Sequence, residues 1–386
     1  MRRSFSFVSL LLILCVFGSV STRAAAVPIP KAPDVDAKAW ILLDFDSGKV
    51  LAEKDADQIV EPASITKVMT VYVAFDEIKS GRIHLNDQVP ISEKAWRQGI
   101  DSKESRMFLD VGSKVALVDL LRGIVIQSGN DAAVAVSEYL GGSEQGFAQI
   151  MNHYAEQLGM KNTHYMDASG MPDPQHHTSA RDIATLSRAL IRNFPDQYKM
   201  FSERDFTFHG IKQQNRNGLL GRDETVDGIK TGHTESAGFC LAASARRQNT
   251  RLISVVMGSP SIKAREAANA TLLNYGFTFY ETAKVKSRGD VIVSPRVYKS
   301  ETKTAAVGIK QDIYLTLARG EAATLKSTAN VKEPLIAPLA ANQAVGDLTI
   351  TTAAGETVAK VPLYPIKAVP EAGLWTRMMD TIALWF

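Results

Sequence analysis

The chain has 386 residues, 45% of them hydrophobic and 22% charged, with a formal net charge of +3. That length suits two or three domains of about 100–200 residues each, and the composition is globular rather than disordered or collagen-like. So small a positive balance gives no electrostatic case for nucleic acid as a partner.

Met1–Ala26 reads as a secretory signal peptide. Arg2 and Arg3 precede an apolar run from Phe5 to Val20, and Ala24-Ala25-Ala26 supplies a small-x-small cleavage site. The run is short for a membrane span of ~20 residues, and Leu12-Ile13-Leu14 ahead of Cys15 lacks the small residues of a lipidation site. The segment carries Arg2, Arg3 and Arg23 and no acid, so its removal brings the 44 basic residues level with the 41 acidic ones. It also removes one of the two cysteines. Cys240 is left alone, in the apolar strand pattern Gly238-Phe239-Cys240-Leu241-Ala242, and reads as a buried structural thiol.

Trp40–Asp44 and Val50–Glu53 read as a hairpin around Asp46-Ser47-Gly48. Next comes Pro62-Ala63-Ser64-Ile65-Thr66-Lys67, leading into an apolar run that ends near Ile78. Val68, Met69, Tyr72, Phe75 and Ile78 share one helical face, and Val71, Val73 and Ala74 fill much of the rest. A helix apolar on most sides is a buried one, and Gly81 stands where a glycine stop belongs. Further helices are expected over Val115–Gln127, Ala132–Leu140 and Gln145–Leu158. Another opens at a capping box, Ser179-Ala-Arg-Asp182, and runs to about Asn193. Strands are expected over Phe206–Ile211, Gly228–Gly232, Phe239–Ala245 and Leu252–Met257, then a helix over Ile262–Tyr280. A sheet drawn from both ends of this region with a helical middle is an α/β-plus-α domain.

Composition shifts near Ala283. From there to Pro370 the chain is β-rich and poor in aromatics, with turn pairs at Arg319-Gly320, Gly346-Asp347 and Gly355-Glu356, which predicts a small β-sandwich. Glu371–Phe386 is helical and amphipathic. The expected division is 1–26 signal peptide, 27–282 catalytic domain, 283–370 β-sandwich and 371–386 terminal helix.

Ser64 and Lys67 are three residues apart at a helix start, so they share a face and the amine reaches the hydroxyl. A serine hydroxyl is a weak nucleophile until a base takes its proton. A lysine serves as that base only where burial or another cation lowers its pKa. Ser300-Glu-Thr-Lys303 repeats the spacing in the polar tail without an apolar helix behind it. Two further motifs follow in order: Ser128-Gly-Asn130 after a helix, and Lys230-Thr-Gly232 on a strand, each occurring once. Each of the three is weak alone, but together they form the trio known from penicillin-binding proteins and class A β-lactamases.

Asp227-Gly-Ile-Lys230-Thr-Gly-His-Thr234, Gln127-Ser-Gly-Asn-Asp131 and Asn215-Arg-Asn-Gly-Leu-Leu220 resemble the low-molecular-mass penicillin-binding proteins that are D-alanyl-D-alanine carboxypeptidases. Lys161-Asn-Thr-His-Tyr165, Ser179-Ala-Arg-Asp182 and Arg251-Leu-Ile-Ser254 extend the resemblance, and the β-rich tail with its amphipathic helix matches the cell-shape branch. It implies a β-lactamase/transpeptidase-like domain, an antiparallel sheet with a helical subdomain, followed by the small sandwich. It also implies roles. Ser64 attacks the carbonyl between two D-alanines and forms an acyl-enzyme. Lys67 takes its proton and later helps activate water. Ser128 relays a proton to the departing D-alanine, and Asn130 orients Lys67 and the substrate amide. Lys230 keeps the site positive, Thr231 and Arg216 hold the terminal carboxylate, and backbone N–H groups of Ser64 and His233 form an oxyanion hole beside Gly232. Arg216 stands one residue nearer Lys230 than the family pattern.

The implied partners are peptidoglycan stem peptides, β-lactam antibiotics and, through the terminal helix, a membrane surface; no cofactor or metal is implied. His176-His177 lacks a third ligand at suitable spacing and reads as a pair of loop histidines. A class A β-lactamase would need a Glu-x-x-Leu-Asn loop, and the segment before Lys230 has Asp167-Ala-Ser-Gly-Met-Pro-Asp173 instead. The motifs leave a crosslink-cutting endopeptidase open. The implied location is the periplasmic face of a bacterial inner membrane.

Overall fold

The computed structural model describes residues 28–98, 100 and 104–385. The signal-peptide reading of Met1–Ala26 lies outside the described residues.

The catalytic part is built on one antiparallel sheet of five strands. From edge to edge they are Val50–Lys54, Ala39–Asp44, Thr250–Ser259, Gly238–Arg247 and Val226–Thr234. Successive strand side chains point to opposite faces. Ala39, Ile41 and Leu43 therefore enter one core with the helical subdomain, whereas Trp40 and Leu42 enter the other, under the Ile262–Phe279 helix. Both faces are covered, so the run Trp40–Leu43 is continuously apolar rather than alternating.

The Lys67–Lys79 helix is buried along its first nine residues, Lys67 to Phe75, as an apolar helix in the middle of a domain must be. Around it pack the helices Asn130–Gly141, Glu144–Gln157 and Ala180–Asn193. Ser179 caps the last of these by accepting from the Asp182 N–H at 3.2 Å. The expected box is not reciprocal, because the Asp182 carboxylate takes the Asn162 N–H and the Thr163 hydroxyl instead.

Three elements depart from the sequence pattern. The expected helix over Val115–Gln127 is a strand, Lys114–Ala116, paired with Gln88–Pro90, then an α-helix, Leu117–Arg122, then a π-helical turn, Gly123–Gln127. Gly123 opens that turn against Met107, whose sulfur a Cβ there would meet, and such widened turns concentrate at functional sites. The expected Phe206–Ile211 strand is a hairpin, Asp205–Phe208 with Ile211–Gln214. Its turn residues His209 and Gly210 both have positive φ, 46° and 77°, the signature of a tight two-residue hairpin turn. The last long helix ends at Phe279, and Tyr280 opens a strand to Lys286 that pairs with Ile313–Ala318 across the point where composition shifts.

The C-terminal domain is all β. Its main sheet runs Val291–Val293, Val307–Gly308, Thr357–Pro365, Gly346–Thr351 and Lys326–Val331, around a core that includes Val307, Leu348, Ile350 and Leu363. The closing helix is Leu374–Ala383. No helix among the described residues is long and apolar enough to cross a membrane.

Candidate active site

Ser64 lies in a short 3-10 turn, Ala63–Thr66, and Lys67 is the first residue of the α-helix that follows. Ala63 has a left-handed φ of 47°, a conformation that costs a residue with a Cβ about 1–2 kcal/mol. That bend turns the serine out of the helix mouth. The Lys67 amine reaches back to it, 3.0 Å from Ser64 Oγ. The same amine donates to Asn130 Oδ1 at 2.7 Å and to the Ser169 carbonyl at 2.6 Å. Lys67 is 0% exposed. Burial lowers its pKa, against the pull of Asp167 and Glu104, to about 7.

Asn130 opens its helix where the π-turn ends. Its amide N–H donates to the Ser105 carbonyl at 2.7 Å, and its side-chain Nδ2 to Glu104 Oε2 at 2.7 Å. Asp131 fastens the approaching loop by accepting the N–H groups of Met107, Phe108 and Leu109. Ser128, between turn and helix, has a left-handed φ of 65°.

The edge strand Val226–Thr234 forms the opposite wall. It pairs with Gly238–Arg247 on one side only, and its other edge lies along the Ser64 turn. Gly232 is required there: a Cβ would come within 2.9 Å of the Pro62 carbonyl oxygen and 3.2 Å of the Ile65 nitrogen. Lys230 is buried, and its amine donates to the Thr231 carbonyl at 3.0 Å. Burial, then the charges of Lys67, Arg216 and Arg265, pushes its pKa well down.

Ser64, Ser128, Asn130, Arg216, Thr231, Gly232 and His233 line one cleft of about 590 Å³. Lys67 and Lys230 stand buried behind its walls. His233 is exposed at the mouth, its ring stacked on Phe239 with centroids 4.0 Å apart. The second Ser-x-x-Lys is of another kind: Ser300 Oγ donates to the Val297 and Thr302 carbonyls, and Lys303 is exposed.

The site contains groups that the motifs do not mark. Arg265, from the Ile262–Phe279 helix, lines the cleft, donates to the Gly232 carbonyl at 3.1 Å and keeps a buried Nε without a partner. Glu104 and Met171 line it too. His176 is no simple loop histidine: it is 2% exposed and its Nε2 lies 2.9 Å from Thr66 Oγ1. No local pattern distinguishes these residues. Cys240 is fully buried, its thiol pushed up to about 11 by burial. No cluster of metal-binding side chains occurs among the described residues.

A cleft-lining serine, a dry lysine beside it and cationic side chains beyond are the arrangement of a serine acyl-transfer enzyme of the penicillin-binding class. Residues 26–261 match the D-alanyl-D-alanine carboxypeptidase family, and residues 280–371 match the penicillin-binding protein 5 C-terminal domain. The chain belongs to this family of D-alanyl-D-alanine carboxypeptidases and is a serine-type D-Ala-D-Ala carboxypeptidase, a hydrolase. It is 43% identical to D-alanyl-D-alanine carboxypeptidase DacA of Escherichia coli K12, covering 93% of this chain and 90% of that one. It is 40% identical to DacA of Haemophilus influenzae, covering 91% and 90%. The crystal structure of penicillin-binding protein 5 from Haemophilus influenzae superposes with a TM-score of 0.84 at 41% identity, covering 89% of this chain and all of that one.

Proposed function

We propose that the carboxypeptidase reaction runs through Ser64, with Lys67 as its base. Ser64 Oγ attacks the carbonyl carbon of the penultimate D-alanine while its proton passes to the Lys67 amine. The C–N bond breaks, a proton returned through Ser128 goes to the departing D-alanine nitrogen, and water then cleaves the ester. The observation that carries this reading is the placement of the Lys67 amine, 3.0 Å from the serine oxygen in a fully buried site. A lysine with its pKa near neutrality supplies both the free amine and the proton that the two halves of the reaction need.

The remaining residues serve the charge and shape of the substrate. Arg216, Arg265 and Thr231 all line the cleft and hold the terminal carboxylate, which arginine suits through its planar fork. The incoming carboxylate offsets the mutual repulsion of these cations with Lys230. Asn130 orients Lys67, and the backbone N–H groups of Ser64 and His233 take the oxyanion. Residues 27–282 carry this chemistry, and residues 283–370 form a separate β-sandwich.

The terminal helix places the enzyme on a membrane. Its apolar side chains face solvent, Leu374 at 84%, Trp375 at 72% and Trp385 at 79% exposure. Its polar face is turned to the β domain: Asp380 accepts the Lys299 N–H and lies 3.7 Å from Arg296. A helix this short, amphipathic and rich in tryptophan lies in the lipid interface rather than across it. Export by Met1–Ala26 puts it on the periplasmic face of the inner membrane. The assignment is tested by labelling with a fluorescent penicillin and by D-alanine release from a pentapeptide. Ser64→Ala abolishes both, and label found on another residue would sink the scheme.

A further inference from the structure

The Ser169 carbonyl that receives the Lys67 amine does not hold its own place. Asp167 holds it. One carboxylate oxygen accepts the Ser169 N–H at 2.6 Å, the Gly170 N–H at 2.6 Å and the Ser169 hydroxyl at 3.1 Å, and the other accepts the Met171 N–H at 3.1 Å. The carboxylate is mostly covered, at 16% side-chain exposure. Beside it stands His176, whose Nδ1 is 3.4 Å from Asp167 Oδ2 and whose Nε2 is 2.9 Å from Thr66 Oγ1. Thr66 directly precedes Lys67, so the histidine ring ties the loop to the start of the catalytic helix. The loop fits that helix start without slack: a Cβ on Gly170 would lie 1.9 Å from the Ala63 carbonyl oxygen.

We propose that Asp167 is a positioning residue for Lys67. It folds the Ser169–Met171 turn that presents a carbonyl to the amine, and it sets a fixed negative charge behind that turn. The inference rests on the reading of Lys67 as the base. A hydroxyl or amide could fold the same turn, since either accepts backbone N–H bonds, so the ionised group has a second effect. An anion near a buried amine favours its protonated form. Lys67 is surrounded by charged groups from several elements. Asp167, Glu104 from the preceding loop and Asp131 from the Asn130 helix favour the ammonium, whereas Arg216 opposes it. Asp167 has the largest influence of the three acids. It is ionised throughout the working range: burial raises its pKa, but the His176 ring and the N–H groups of Gly170 and Ser169 outweigh that and bring it to about 2. Asp167 thus raises the pH at which Lys67 becomes a free amine and keeps a proton on it for the leaving group.

The test is the pH profile of Ser64 acylation by a fluorescent penicillin. Asp167→Asn keeps an oxygen for the turn and removes the charge, so the acid limb moves to lower pH by on the order of one unit. Asp167→Glu keeps the charge and leaves the limb at the parent's pH. A purely structural aspartate would lower the plateau rate and leave the limb in place, and an unmoved limb in Asp167→Asn overturns the proposal. Should that variant fail to fold, Asp167→Ser carries the same test, with the same shift expected and the same unmoved limb overturning it. Lys67→Ala separates the two readings: an acid limb retained there belongs to another group, and the base assignment then fails whatever Asp167 does.

Discussion

The Lys67 amine and the Ser169 carbonyl oxygen are 2.6 Å apart although 102 residues separate them in the chain. That bond joins the Lys67–Lys79 helix to the loop between the Glu144–Gln157 and Ala180–Asn193 helices. It closes a set of three acceptors around one amine, with Ser64 and Asn130 as the other two.

Gly170 is the point where this closure is most sensitive to change. Its φ is 85°, and a Cβ would meet the Ala63 carbonyl oxygen, the Ala63 carbonyl carbon and Thr66 Oγ1. Gly170→Ala is expected to lose about 1–3 kcal/mol of stability by overpacking, read as a lower Tm. It should also slow acylation of Ser64, because Ser169 is pushed off the amine. Gly142, with φ of 70° and open space around its Cβ position, is the control: Gly142→Asn should leave acylation unchanged.

The Lys67 assignment predicts a defined pH dependence. Only the free amine accepts the serine proton, and burial lowers its pKa to about 7. Acylation should therefore rise through neutral pH and fall about tenfold per unit on the acid side. Lys67→Ala should lose at least ~10²-fold in acylation rate. Lys67→Arg should fail as well, because the guanidinium stays protonated. Near-normal acylation by either variant at neutral pH would remove Lys67 as the base.

The proposed carboxylate site includes Arg265, which lines the cleft but lies in none of the motifs. Truncation to alanine removes a charged hydrogen-bond donor, worth about 1.5–3 kcal/mol, so kcat/KM on a D-Ala-D-Ala peptide should fall roughly 10- to 100-fold. A peptide ending in a carboxamide offers no carboxylate, and for that substrate Arg265→Ala should have little effect. An equal penalty on both substrates would assign Arg265 to the wall of the cleft alone, through its bond to the Gly232 carbonyl.

The terminal helix predicts how the protein partitions. Each large apolar side chain that enters lipid contributes up to ~1.5–3 kcal/mol, and the helix offers Leu374, Trp375, Met378, Met379, Ile382 and Trp385, all exposed. Its only cation, Arg377, pairs with Glu371 at 3.1 Å, so attraction to anionic lipid is weak. High salt should leave the protein on the membrane and detergent should release it. A chain ending at Pro370 should be soluble and still active on a short peptide. Its persistence in the membrane fraction would move the anchor elsewhere.

Neighbouring residues carried what could be read from the sequence alone. Ser64 and Lys67 are one helical turn apart, so their meeting is local geometry. The apolar run behind them demands burial, and burial of the lysine follows. The two faces of the terminal helix are a matter of spacing, as is the core position of Cys240. The tertiary structure decided what depends on chain segments far apart. Arg265 reaches the cleft because its helix packs on one face of the sheet, and nothing in its own neighbourhood marks it. Gly123, where the π-turn opens, packs against Met107, 16 residues upstream, and periodicity within 115–127 contains no trace of that. Asp167, Ser169 and His176 sit in a loop with no period at all. Ser169 and His176 reach Lys67 and Thr66 by hydrogen bonds across about a hundred residues, which folding alone brings within reach.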